Sequence, residues 1–404
     1  MKVFKIIVSV ALCAVILTSC VGTKTYIVDD DKPRSAEAPL EITTVVVTAP
    51  EVVRVEMPDP GDPEKGLSLL FDEDCKGGIF LIAFDEDNDC PAVVHEDSIY
   101  KSASNRLSLI SAKYNLVFAD YKMNSAEMFD ITKSNVKSDD YTADLMLLPL
   151  DKFKSFAEGK LLEDLNNSAF YDNESYYFSR SIAEYLTYKG GVYGVWTDVL
   201  KKPTDMIVLY VNLDLYKESN TSDIEKDALE GKLTWDYLGA ITDIDAIPNS
   251  TGTDYIRRVS SGEDVSDVIT GYLARDDGEE EEDEGGNASP SPLEQFLSGE
   301  EIFYFGTLED AEKLGKTAFS WSLLPVPKET TEDFHRRIYD YTKGFTVACI
   351  PLNCYSIDRS VQIICALSVS AVRSNELEAA EYLYQYLRSN NARLLLNYIL
   401  FDSQ

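Results

Sequence analysis

Residues 78–84 read Gly78-Ile79-Phe80-Leu81-Ile82-Ala83-Phe84, and this run opens the pattern that decides the fold. A continuous apolar run, with Lys76 before it and Asp85 after it, predicts a strand buried on both faces. Ser98 to Tyr114 follows, with Ile99, Ala103, Leu107, Ile110 and Tyr114 at helical spacing. Asn115 to Tyr121 (NLVFADY) reads as a second strand and Ser125 to Val136 as a helix. Ala143 to Leu150 (ADLMLLPL) reads as a third strand, and Asp151 to Glu158 begins another helix. Strand–helix–strand–helix–strand predicts right-handed parallel crossovers and a doubly wound α/β sheet. In such sheets ligands bind beyond the carboxyl ends of the strands.

Working outward, the N-terminus has its own logic. Lys2 and Lys5 precede a mostly apolar run from Ile6 to Leu17, the build of a secretory signal. Its 12 residues are too few for a bilayer core that needs roughly 20 in a helix. The ending Leu17-Thr18-Ser19-Cys20 resembles the bacterial lipobox, which implies lipidation of Cys20 and a place on the extracellular face of the cytoplasmic membrane. Residues 20–66 carry Asp29-Asp30-Asp31 and Pro33, Pro39, Pro50, Pro58, Pro60 and Pro63, with no aromatic after Tyr26, and read as a disordered tether. The strand-like run Ile42–Val47 stands isolated within it.

The chain of 404 residues is too long for one ordinary domain and suits two lobes. Its 17 Phe and 24 Tyr can fill two cores. A formal net charge of −33 repels phosphate backbones and argues against nucleic acid as a partner. It also disfavours a polyanionic ligand, although a local pocket can defy the global field. Beyond Cys13 and Cys20 the cysteines are Cys75, Cys90, Cys349, Cys354 and Cys365, too sparse for a disulfide scaffold. Cys75 and Cys90 flank the first strand and are left open between a disulfide and free buried thiols. Glu279 to Glu284 (EEEEDE) is a like-charge block with Gly and Pro flanks, expected as a disordered surface loop over 276–292. Asn375 with Glu378 three residues on has the pattern of a helix capping box.

Several segments, in order, resemble the type 1 extracellular solute-binding proteins of ABC importers. They are ADLMLLPLDKFKSFAEGKLLEDLNN (143–167), GGVYGVWTDV (190–199), DMIVLYVNLDLYKES (205–219), Lys232 to Leu238 (KLTWDYL), FLSGEEIFYFG (296–306), WSLLPVPK (321–328) and GFTVACIP (344–351). The resemblance implies a two-lobe periplasmic-binding-protein-like (type II) fold, each lobe a doubly wound, mainly parallel sheet with flanking helices. It implies a signal peptide at 1–19, a tether at 20–66, and the first part of lobe 1 at 67–200. Lobe 2 then spans 201–325, and 326–404 returns to lobe 1 with the C-terminal helices. The implied function is capture of a small ligand, foremost a carbohydrate, for the permease subunits of an importer, by a lipid-anchored monomer. The alternatives are a surface sensor or interaction lipoprotein that does not transport, and a binder of peptide or polyamine. That family continues for further helices that pack on the second lobe, so lobe closure is expected to be altered in a sequence given only to Gln404.

Six residues are expected to line the ligand. Asp151 and Asp198 match positions where the family's sugar binders set an acidic side chain on ligand hydroxyls, and a carboxylate accepts two such hydrogens. As a plain alternative Asp151 would cap a helix and Asp198 would be a solvated loop residue. Trp196, partly exposed beside the crossing between lobes, would offer a flat face to a sugar ring. Tyr193 lies near it, Asp85 ends the first strand at the mouth of the cleft, and Gly306 ends the segment 296–306. Trp235 and Trp321 read as structural, and Leu148 and Leu308 are aliphatic where some sugar binders carry aromatic platforms. Asp85, Asp87, Asp89 and Glu96 echo a calcium loop, but Cys90 stands where a glycine is needed and no helix precedes it. No metal and no cofactor is therefore expected. No catalytic residue is expected either: there is no GxSxG, P-loop, HExxH or GxGxxG, and the only histidines are His95 and His335.

Overall fold

The apolar runs become β1 (Gly78–Asp85), β2 (Leu116–Met123) and β3 (Leu145–Pro149), joined through α1 (Ala103–Tyr114) and α2 (Ser125–Ser138) in a computed structural model of the chain. It describes residues 67, 70, 74–85, 90–93, 98–175, 177–180, 182–274, 290–371 and 373–402. The signal and tether readings, Cys20, Asp87, Asp89, His95, Glu96 and residues 276–289 of the acidic segment lie outside these.

β1 runs parallel to both β2 and β3, with Phe80 opposite Phe118 and Ala83 opposite Met146. Local chemistry sets the turns. α1 ends at Asn115, which takes the left-handed conformation (φ 47) that asparagine tolerates. α2 begins where the Asn124 side chain accepts from the Glu127 amide at 2.9 Å. β1 is buried from Ile82 onward, but Ile79 and its partner Val117 are exposed, so the expectation of burial on both faces fails at the start of the run. α3 (Leu150–Glu158) begins directly after β3 with Pro149 as its N-cap; Asp151 lies inside its first turn and is not the cap.

A short hairpin, β4 (Thr187–Tyr188) and β5 (Gly191–Val192), precedes the first crossing toward β6 (Ile207–Asn212). Residues 213–302 carry α4 (Leu213–Ser219), α5 (Ile224–Leu229), α6 (Trp235–Gly239), α7 (Thr253–Ser261), α8 (Ser266–Leu273) and α9 (Pro292–Leu297). The acidic loop expected to 292 ends earlier, because Ser291 and Glu294 form a capping box that starts α9. β7 (Phe303–Thr307), α10 (Ala311–Leu314) and β8 (Trp321–Leu324) complete the second sheet, in the order β7-β6-β8. Every residue of the three strands is buried.

This second sheet corrects the expectation of two mainly parallel sheets, since β6 pairs antiparallel with both neighbours. The reason is the route of the chain. A helical crossover returns the chain in the same direction, and β7 and β8, joined through α10, do run the same way. They flank β6, which arrives from the first sheet instead. β9 (Thr346–Cys349) shows the same rule in reverse: it arrives from the second sheet and pairs antiparallel with β3. The first sheet thus reads β2-β1-β3-β9.

The two crossings lie side by side. The Ile207 amide donates to the Ile338 carbonyl at 2.7 Å, and the Asp340 amide to the Asp205 carbonyl at 3.0 Å. After β9, α11 (Ile357–Ala371) packs on α1, and α12 (Ser374–Tyr384) leads to α13 (Asn390–Asn397), which packs on β8 and α5. Packing on the second sheet, expected of helices beyond Gln404, is thus done by α13. Asn375 is not a cap: Arg373 precedes α12, and the Asn375 side chain instead accepts from the buried Arg106 guanidinium at 2.8 Å. Cys90, Cys349 and Cys365 are buried, and Cys75 and Cys354 are half-buried.

Candidate functional site

The carboxyl ends of β1 and β3 deliver Asp85 and Pro149 to one cavity of about 230 Å³. The start of β9 adds Thr346, and the two crossings add the rest. Trp196, Leu200, Lys201, Lys202 and Asp205 come from the first crossing; Tyr339, Lys343, Gly344 and Phe345 come from the second. This is the place where a doubly wound sheet puts a ligand.

Trp196 forms part of the wall but does not present a free face. It is 4% exposed, not partly exposed as the sequence suggested. Phe345 stacks on it with ring centres 4.3 Å apart, Tyr339 meets it edge-on at 5.4 Å, and the Lys201 ammonium sits 5.0 Å from its ring centre. The physical reason is the pairing of the crossings, which brings two aromatics of the second against the indole of the first.

Lys201 Nζ also bonds Asp198 Oδ1 at 2.8 Å. Burial works to raise the Asp198 carboxyl, but Lys201 and Arg337 outweigh it and hold the group below its ordinary range. Asp198 lines a second, wider recess of about 720 Å³, shared with Trp196, Lys201, Tyr339, Arg180 and Arg336. Asp85 is buried and accepts a hydrogen bond from Ser125 Oγ at the start of α2. Asp205 is pushed up to about 7, chiefly by burial, with Glu309 and Asp340 adding to the rise and Lys202 and Lys343 opposing it. For Lys343 burial acts downward, yet the carboxylates of Glu309, Asp310 and Asp205 leave the ammonium above its ordinary value. Its Nζ lies 3.3 Å from Glu309 Oε2.

The structure therefore brings Asp85 and Trp196 to one cavity and sets Asp198 next to it. Asp151 is elsewhere, exposed and paired with Lys152 at 2.5 Å. Tyr193 is half-buried against the hairpin, where its ring and Asp164 crowd Gly191. Gly306 is a packing residue of β7: a Cβ there would lie 2.1 Å from the Tyr304 ring and 2.7 Å from Asp310 Oδ2. Trp235, whose Nε1 donates to Ser260 Oγ at 3.0 Å, and Trp321 are both buried in the second half of the chain, as a structural role requires. The residues that sequence reasoning missed are Lys201, Lys202, Asp205, Tyr339, Lys343 and Phe345. One signal was present: the Lys201-Lys202 doublet lies two residues past the Trp196–Asp198 segment in a strongly acidic chain.

Among the described residues no group of three or more His, Cys, Asp or Glu is placed to hold a metal ion. No described helix is long and apolar enough to cross a membrane. No protein-family profile matches the chain. No curated protein matches it either. Among solved structures the chain is similar to an extracellular solute-binding protein family 1 member from Alicyclobacillus acidocaldarius, at 12% identity and a TM-score of 0.43, over 80% of this chain and 85% of that one. It is also similar to a cyclo/maltodextrin-binding protein complexed with maltotetraose, at 13% identity and 0.44, over 80% and 84%. UspC of M. tuberculosis is a third, at 11% and 0.41, over 80% and 87%. The two-sheet α/β fold described above is read from this chain's own strand order and register.

Proposed function

We propose that this protein is an extracellular solute-binding protein that captures a small solute, foremost a carbohydrate, for an ABC importer, held at the membrane by a lipid on Cys20. One observation carries the reading. The cavity lies beyond the carboxyl ends of β1 and β3, and its other walls are the two crossings between the sheets. A ligand there touches both routes by which one sheet is joined to the other, so its binding is coupled to their relative position, as in hinge closure. Asp85 and Asp205, set beside the packed wall of Trp196, Tyr339 and Phe345, suit a solute that carries hydroxyls. Capture of this kind needs no nucleophile.

A thermal-shift panel tests it. A ligand that binds only the folded state raises the melting point by mass action, about 2.7 kcal/mol at a hundredfold excess over Kd. At least one mono- or disaccharide, neutral or acidic, is expected to do so. A panel in which peptides or polyamines stabilise the protein and no sugar does would overturn the carbohydrate reading.

A further inference from the structure

Cations are concentrated at the cavity of a strongly acidic protein. The whole chain has 37 Lys and Arg against 70 Asp and Glu. The cavity has Lys201, Lys202 and Lys343 against Asp85 and Asp205. The three cations are not equivalent. Lys201 is bound to Asp198 at 2.8 Å and Lys343 to Glu309 at 3.3 Å. Lys202 forms no ion pair with a described carboxylate within 4.0 Å, although its field reaches Asp205. Half-buried beside a cavity walled by Pro149, Trp196, Leu200, Tyr339 and Phe345, Lys202 is placed to meet a negative charge on a solute.

We infer that the cavity takes a small anionic solute, a sugar bearing a carboxylate or a phosphate, with Lys202 as the cation that meets its charge. This rests on the reading of the cavity as the capture site and names the class of solute. The volume of about 230 Å³ lies below the roughly 300–1,000 Å³ of sites for drug-sized ligands, which fits one sugar unit better than a chain. Asp85 keeps its charge but is turned toward Ser125 Oγ, and Asp205, pushed up to about 7, is in part protonated near neutrality and then donates a hydrogen bond instead of repelling an anion. The apolar walls strengthen the attraction, because a charge pair shielded from water interacts more strongly than one in bulk solvent. A polyamine, by contrast, would meet the Lys202 ammonium.

The test uses the purified protein and four probes: glucuronate, glucose 6-phosphate, glucose and spermidine, followed by calorimetry and thermal shift. Glucuronate or glucose 6-phosphate is expected to bind and to raise the melting point, and which of the two does so tells carboxylate from phosphate. Glucose is expected to bind at least about tenfold more weakly, and added salt to weaken the acidic sugar. Lys202→Gln should lower the affinity for the acidic sugar about tenfold while the unliganded protein still unfolds in one cooperative transition, and Lys202→Arg should restore most of the loss. If glucose binds as tightly as both acidic sugars and Lys202→Gln changes nothing, the anionic inference falls and the capture of a sugar stands. If spermidine alone binds, both fall. If none of the four binds, the anionic inference falls, and the wider sugar panel decides the capture reading separately.

Discussion

Burial pushes the Asp205 carboxyl up to about 7, from an unfolded value near 3.9, and this gives the residue a stability signature. Between those two values the folded protein holds a proton that the unfolded chain has released. Stability therefore falls as pH rises from about 4 to about 7, and is flat on either side. The slope is at most about 1.4 kcal/mol per pH unit, and a partly open site realises about half of it. Asp205→Asn removes the titration. Relative to wild type, the variant should gain melting temperature steadily from pH 4.5 toward about pH 7 and no more beyond. A difference that does not change with pH would show that Asp205 ionises freely in the folded state. The neighbours that act on it are Lys202, Glu309, Lys343 and Asp340, so the same scan on Lys202→Gln should move the window upward. At this scale the sequence was legible only in part. Trp196 and Asp85 stand out because one is a tryptophan beside a predicted crossing and the other ends an apolar strand. That Phe345 covers the Trp196 face was not legible, because the covering residue lies on a segment that meets it only after the second crossing has folded alongside the first.

Strand identity and strand direction have different sources. Apolar runs marked β1 and β3, since burial on both faces demands them, while β6 and β9 lay in segments quoted for their resemblance. Direction followed the path between sheets, and nothing in the composition of β6 or β9 states that path. Some of the ties that hold the elements were equally silent. Asp144, one residue before β3, is fully buried and forms an ion pair with Arg359 of α11. Its other oxygen accepts from the Leu81 amide at 2.9 Å and from Tyr141 Oη at 2.6 Å. Ser360 Oγ donates to the Asp144 carbonyl at 2.7 Å. One carboxylate thus joins β1, β3 and α11, the helix that follows β9. Arg359→Leu leaves that charge buried without its cation, which typically costs about 3–5 kcal/mol. Chemical denaturation should show this loss, and Arg359→Leu with Asp144→Asn should recover part of it. A loss of less than about 1 kcal/mol, the scale of an exposed pair, would mean that water reaches the pair in solution.

For the molecule as a whole, charge and anchoring belong to one argument. A net charge of −33 over the chain disfavours electrostatic attraction to anionic headgroups. If the protein works beside a permease, the attachment has to come from outside the folded part, and Cys20 is the residue we propose for it. Lipid chains suffice energetically only in number. Each buried CH₂ contributes about 0.8 kcal/mol, one myristoyl chain gives marginal binding, and stable attachment takes at least two signals. Cys20→Ala should therefore move the protein from the detergent-extracted membrane fraction to the soluble one, or leave it at precursor mass, with the melting temperature of the folded part unchanged. Intact-mass analysis of the wild-type protein is the direct check. An unmodified Cys20 in membrane-associated protein would sink the anchor, while the cavity, its lysines and the capture of a small solute would be judged on their own experiments.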